Sequence, residues 1–149
     1  MMHAFPRTFT EPKRRLERVV GGGSAPLNPA AYLRLRREAA GLSIRMVAGM
    51  LARNADEVVP ALDLVYAMEA PGNTIRYPET LERLRSVFAF DPDVYRQLAT
   101  EPSDRHPRIC RCCGCSTWDP CYHIGHCSLA TSTVCTACQS ETDAEGSVQ

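Results

Sequence analysis

The sequence lacks several features that define common classes of protein. No stretch approaches the roughly 18 consecutive apolar residues of a transmembrane helix, and residues 1–20 have no apolar core of signal-peptide length. The 17 basic and 17 acidic side chains cancel, which argues against a protein that coats nucleic acid through excess positive charge. Lys13 is the only lysine beside the arginines. These absences predict a soluble, cytoplasmic protein with no membrane partner.

Cysteine is absent from residues 1–109, and all eight cysteines lie between positions 110 and 138. A secreted disulfide framework normally spreads its bridges through the fold that it stabilises. A dense local cluster in a cytoplasmic chain favours metal binding instead.

Composition and charge divide the 149 residues into five segments. In chain order they are a flexible basic arm (1–26), a helical domain (27–100), a linker (101–109), a cysteine-rich zinc-binding module (110–138) and a disordered acidic tail (139–149). The arm carries five basic and two acidic side chains, and the helical domain is neutral. With such a linker, loss of Cys110 or Cys138 is expected to unfold the module and leave the helical domain folded.

Capping residues in the middle segment predict five short helices. Each predicted start carries a side chain that accepts from the first backbone amides, or a proline that fits the first turn. These starts are Asn28-Pro29, Ser43, Pro60, Pro78 and Asp91-Pro92. Apolar residues at helical spacing follow each start, with Tyr66 and Met68 expected in the core. The fold class is therefore mainly α, with a small orthogonal five-helix bundle and a metal-stabilised knuckle or ribbon.

Residues 33–50, LRLRREAAGLSIRMVAGM, resemble the first two helices of repressor-type helix-turn-helix domains of the Cro and lambda-repressor (XRE) class. Residues 65–69 resemble the end of that family's recognition helix, and residues 78–98 resemble its last two helices. The resemblance covers about residues 29–99. It implies a DNA-binding transcriptional regulator, and a homodimer on two-fold DNA sites.

The predicted recognition helix departs from that family in its chemistry. Major-groove recognition uses side chains such as Arg, Lys, Asn and Gln, but residues 56–70 contain four acidic and no basic or amide side chains. Any DNA contacts are then expected from arginines elsewhere: Arg14, Arg15 and Arg18 in the arm, and Arg34, Arg37 and Arg45 in the helical domain. Alternatively, Arg34, Arg36 and Arg37 form a solvated helix face with no binding role. In a separate alternative, the helical domain is part of an adaptor that binds a protein partner.

Two cysteine pairs in the last third of the chain have the spacing of metal ligands. Cys110-x2-Cys113 and Cys135-x2-Cys138 are separated by 21 residues. Each pair can place two thiolates on one metal ion, and two pairs complete a tetrahedral four-sulfur zinc site. The segment has few aliphatic residues, so metal binding would drive its folding.

The remaining cysteines leave the number of metal ions open. Three thiolates and one imidazole could hold a second zinc ion, from Cys115, Cys121 and Cys127 with His123 or His126. Cys112 is interpreted as a free thiol or an alternative ligand, and Trp118 is expected in a small core over the metals. An iron–sulfur cluster or a thiol-based redox sensor are the alternatives.

The pattern of residues 110–138 also resembles a tail in small phage-like and proteobacterial proteins, which reads CRxCGC, then two single cysteines, and then CxAC. Those relatives often carry a tryptophan where this chain has Leu129. The resemblance implies metal binding. The sequence has neither the H-x-E of zinc deaminases nor the H-E-x-x-H of zinc proteases, and the protein is therefore expected not to be an enzyme.

Overall fold

A computed structural model of the chain describes residues 25–119, 121 and 127–145. The described residues form six α-helices: α1 (Pro29–Ala39), α2 (Ile44–Leu51), α3 (Val58–Glu69), α4 (Pro78–Arg85), α5 (Pro92–Thr100) and α6 (Thr136–Glu145). Short 3-10 turns lie at Ala55–Glu57 and Ser103–Arg105. The prediction of a mainly α fold is confirmed. None of the helices in these ranges has the length and apolar character needed to cross a membrane.

The helix starts follow from local capping. The side chain of Asn28 accepts from the backbone N–H of Ala31 at 2.8 Å, as predicted for α1. Ser43 and Asp91 cap α2 and α5 in the same way. Helix α3 begins before Pro60, because a 3-10 turn capped by Asn54 leads directly into it.

The first core buries one face of each helix from α1 to α5. Its buried aliphatic and aromatic side chains include Leu33, Val47, Val65, Leu84, Phe88 and Val94. Burial of each such side chain contributes about 1.5–3 kcal/mol. Met68 is buried as predicted, but Tyr66 is 60% exposed. The register of α3 points Ala61, Val65 and Met68 inward at helical spacing, and Tyr66 lies outside this stripe.

The second core consists of cysteines and adjoins the first. It contains six buried cysteines and Ala137, with Ala39 of α1 packed against it. Ile109 belongs to the first core and Cys110 to the second. The predicted linker therefore ends in a buried residue, because Ile109 forms an isolated antiparallel bridge with Ser116 and packs on the helices.

Residues 139–145, the described part of the predicted disordered tail, are helical. Helix α6 begins at Thr136 and continues through Glu145. The N–H of Gln139 donates to the carbonyl oxygen of Cys135 at 3.0 Å. Cys135, Ala137 and Cys138 are buried, and they anchor the first turn from which the polar helix extends.

Candidate metal centre

Four buried cysteines meet at the start of α6. The Sγ atoms of Cys110, Cys113, Cys135 and Cys138 all lie within 4.8 Å of one another. The Sγ atoms of Cys113 and Cys135 are 3.8 Å apart. Tetrahedral coordination with metal–sulfur distances of about 2.3 Å requires sulfur–sulfur separations of about 3.8 Å. The four thiols therefore fit one metal ion, and none of the eight cysteines forms a disulfide.

Backbone hydrogen bonds hold these thiols in place. The N–H of Cys110 donates to the carbonyl oxygen of Cys115 at 2.8 Å, and the N–H of Gly114 donates back to that of Cys110 at 2.9 Å. The N–H of Cys135 donates to Cys110 Sγ at 3.4 Å, across 25 residues of sequence. Amide donors of this kind support the negative charge of a ligating thiolate.

A second group of four buried cysteines overlaps the first. The Sγ atoms of Cys113, Cys115, Cys121 and Cys135 also lie within 4.8 Å of one another. This group shares Cys115 and Cys121 with the predicted second site and contains Cys113 and Cys135 in addition. Cys127 belongs to neither group, although its Sγ is 3.5 Å from that of Cys115. His123 and His126 lie outside the described residues.

Two further residues of the module are exposed, although the Cys112 side chain still interacts with Cys110 and Cys138. Cys112 is exposed and belongs to neither group. Trp118 is 69% exposed, so the prediction that it covers the metals was wrong.

The pKa values of the clustered thiols shift in opposite directions. The hydrogen bond from Cys113 lowers the pKa of the Cys110 thiol to about 3. The same hydrogen bond, followed by burial, raises the pKa of Cys113, and burial raises the pKa values of Cys115 and Cys138. A divalent cation compensates several thiolate charges at once and releases their protons. Metal affinity should therefore weaken as the pH falls.

A buried carboxylate joins the cysteine-rich segment to α1. Asp119 is 5% exposed, and its Oδ2 accepts from the hydroxyls of Tyr32 and Ser116, each at 2.8 Å. The Tyr32 oxygen in turn accepts from the N–H of Asp91 at 3.0 Å. Burial raises the pKa of Asp119, and the hydrogen bond from Tyr32 partly offsets this effect. Sequence reasoning missed this junction because 87 residues separate its two side chains.

Replacing Tyr32 with phenylalanine should weaken this junction. The Tyr32→Phe variant leaves Asp119 and the Asp91 amide each without one partner, at a cost of about 2 kcal/mol. Urea unfolding of the metal-loaded variant measures this loss. Tyr66→Phe is the control, because Tyr66 is largely exposed. Equal stability of the two variants would show that the hydroxyl contributes nothing.

At Gly114 the backbone of the module approaches α1 closely. The φ of Gly114 is +73°, and an added Cβ would lie 3.0 Å from both Leu35 Cβ and Arg36 Cδ. The Gly114→Ala change should cost about 3 kcal/mol, from left-handed strain together with overpacking. Gly72→Ala is the matched control, because its φ is +85° and a Cβ there meets nothing within 4 Å. The control should lose only about 1 kcal/mol in thermal unfolding, and an equal loss would argue against a tight junction.

Two arginines of α1 are buried and form hydrogen bonds inside the protein. Arg37 forms a two-pronged ion pair with Glu69 at 2.6 and 2.9 Å and also donates to the Leu42 carbonyl. Arg36 is fully buried, and its Nε donates to the carbonyl oxygen of Ala89 at 3.0 Å. The guanidinium of Arg37 is therefore engaged internally, contrary to its prediction as a DNA contact. The solvated-face interpretation is wrong for both residues.

Helical spacing could have revealed these two buried arginines. Tyr32 and Leu33 are buried, and each lies four residues before one of the arginines. Arg34 and Arg45 are exposed, with Arg34 paired to Glu38 at 2.9 Å. Arg14, Arg15 and Arg18 lie outside the described residues.

No family model, curated protein or solved structure matches the chain. The described chain is a mainly helical protein with two overlapping groups of four buried cysteines that could hold metal.

Proposed function

We propose that this chain is a non-enzymatic, zinc-containing adaptor protein in which the metal has a structural role. The buried group of Cys110, Cys113, Cys135 and Cys138 carries the proposal. An all-sulfur, closed tetrahedral set is typical of structural zinc, whereas a catalytic zinc keeps one position for water. Zinc in this set would bind the start of α6 to the turn at residues 110–115.

The exposed face of α3 supports a protein partner over DNA. Val59 is 65% exposed and Leu64 is 40% exposed, and Asp63 and Tyr66 are also exposed. This face offers apolar area and a negative charge, and it has no cationic or amide side chain for reading base edges. Exposed aromatic and aliphatic residues are instead common in protein interfaces.

DNA binding is the second candidate, and the exposed arginines Arg34 and Arg45 favour it. Their guanidinium groups are accessible to phosphates, and the resemblance to repressor-type domains adds to this candidate. Binding of this type would depend on phosphate contacts, with little sequence recognition by α3.

A salt series on duplex DNA separates the two candidates. Metal-loaded full-length protein is titrated into labelled random duplex, alongside R34E/R45E and the matched charge reversal R96E/R105E. The adaptor proposal predicts that the parent shows at most weak binding at low salt, and that both double variants behave alike. Affinity that falls steeply with salt, and that only R34E/R45E loses, would overturn the adaptor proposal in favour of DNA.

Zinc content tests the metal directly. Protein purified without added metal should contain zinc by elemental analysis and be colourless. Iron with acid-labile sulfide and a brown colour would replace the zinc proposal with an iron–sulfur cluster.

A further inference from the structure

The two four-cysteine groups share two members. Cys113 and Cys135 belong to both groups, Cys110 and Cys138 complete the first, and Cys115 and Cys121 complete the second. We propose that the centre is binuclear, with two divalent metal ions bridged by the thiolates of Cys113 and Cys135. This inference rests on the proposed metal-binding function and adds the number of ions and the bridging ligands.

The distance between the shared sulfurs fits this arrangement. The Sγ atoms of Cys113 and Cys135 are 3.8 Å apart, the length of one edge of a tetrahedron built with metal–sulfur bonds of about 2.3 Å. Two tetrahedra that share this edge place their metal ions roughly 3 Å apart, given those bond lengths. Each ion then has two shared and two terminal thiolates.

The number of buried cysteines also favours two metal ions that share thiolate ligands. Two separate four-sulfur sites would need eight thiolates, but Cys112 is exposed and Cys127 joins neither group. Six buried cysteines complete two tetrahedra only if two of them bridge. Six thiolates also balance two divalent ions better than eight would, which lowers the cost of burying the centre.

The backbone around the shared pair connects bridging ligands to terminal ones. The turn that contains Gly114, with φ +73°, separates Cys113 from Cys115 by one residue, so that one short turn supplies both a bridging and a terminal thiol. Cys135 immediately precedes α6, and its N–H donates to Cys110 Sγ at 3.4 Å. Both bridging residues are thus held by backbone that also carries terminal ligands.

Metal counting on the full chain, followed by X-ray absorption, tests the proposal. Chelated protein is titrated with Zn²⁺, and the loaded form is examined at the zinc edge. The binuclear centre predicts two zinc ions per chain, an all-sulfur first shell and a zinc–zinc scattering distance of roughly 3 Å, as the shared edge requires. Two ions without that distance, or with nitrogen in the first shell, would overturn the shared-thiolate proposal.

A single bound zinc would also overturn this proposal, while leaving the structural metal function intact. No zinc binding at all would overturn both, so that the two failures are distinguishable.

Serine variants give an independent test. C127S should keep two zinc ions, because Cys127 belongs to neither group, and C112S is the matched control with an exposed thiol. Loss of one ion in C127S but not in C112S would contradict the six-thiolate set and support two separate sites. C135S should lose the zinc–zinc signal, and any metal that it retains should be a single ion.

Discussion

Removing the metal should unfold the cysteine-rich segment and also destabilise the helical domain. Structural zinc contributes on the order of 10 kcal/mol to the folding of small modules, and residues 110–138 have few aliphatic side chains to replace it. The helical domain should weaken too, because Ile109 lies in its core and Tyr32 donates to Asp119. We expect the melting temperature of the helices to fall by roughly 10 °C.

Circular dichroism melting with and without chelator measures this effect. Hydrogen exchange should show that α1 loses protection, because the backbone at Gly114 lies so near Leu35 and Arg36 that an added Cβ would be 3.0 Å from both. C112S is the control, and its metal-loaded form should melt like the parent. If chelation leaves the melting temperature of the helices unchanged, the helical domain and the cysteine-rich module fold independently, as the sequence predicts.

Breaking the ion pair between Arg37 and Glu69 should have the second large effect. Their side chains are only 7% and 8% exposed, and the guanidinium donates two hydrogen bonds to the carboxylate. The Glu69→Gln variant removes the nearest counter-charge of the buried guanidinium and leaves only the half-exposed Glu38 carboxylate at 3.6 Å, which costs about 3 kcal/mol. Denaturant unfolding of the metal-loaded variant measures the loss of stability.

Two further variants show whether the charge itself is responsible. Glu82→Gln removes a carboxylate that is 57% exposed and paired with Arg85 at 3.8 Å, and it should change stability by less than about 0.5 kcal/mol. Arg37→Met combined with Glu69→Leu should recover much of the loss, because an apolar pair needs no counter-charge. A loss in Glu69→Gln as small as that of Glu82→Gln would contradict the account of this buried pair.

Local signals in the sequence predict a large part of this fold. Asn28, Ser43 and Asp91 cap helices because their side chains accept from amides two or three residues ahead. The spacing of Cys110-x2-Cys113 and Cys135-x2-Cys138 likewise predicts the first four-cysteine group. These features depend on the geometry of residues that are close together in the sequence, and they can therefore be predicted from it.

The remaining features depend on contacts between distant segments. The membership of Cys113 and Cys135 in a second group depends on how the turn at residues 110–115 approaches α6. The contact between Tyr32 and Asp119 has no local signature, since each residue is also common on protein surfaces. The resemblance to DNA-binding domains implies that Arg37 contacts DNA. Its actual partner, Glu69, lies 32 residues away and has no local signal in the sequence.

Native mass spectrometry of the whole chain measures directly how many metal ions the cysteine-rich segment holds. Spraying the protein from neutral ammonium acetate and again from acid gives the mass of bound metal for each chain. A binuclear zinc centre gives a neutral-pH mass higher by two zinc ions, less the protons that they displace, and a return to the mass of the metal-free chain in acid. A metal-free mass at neutral pH, from protein purified without chelator, would contradict it.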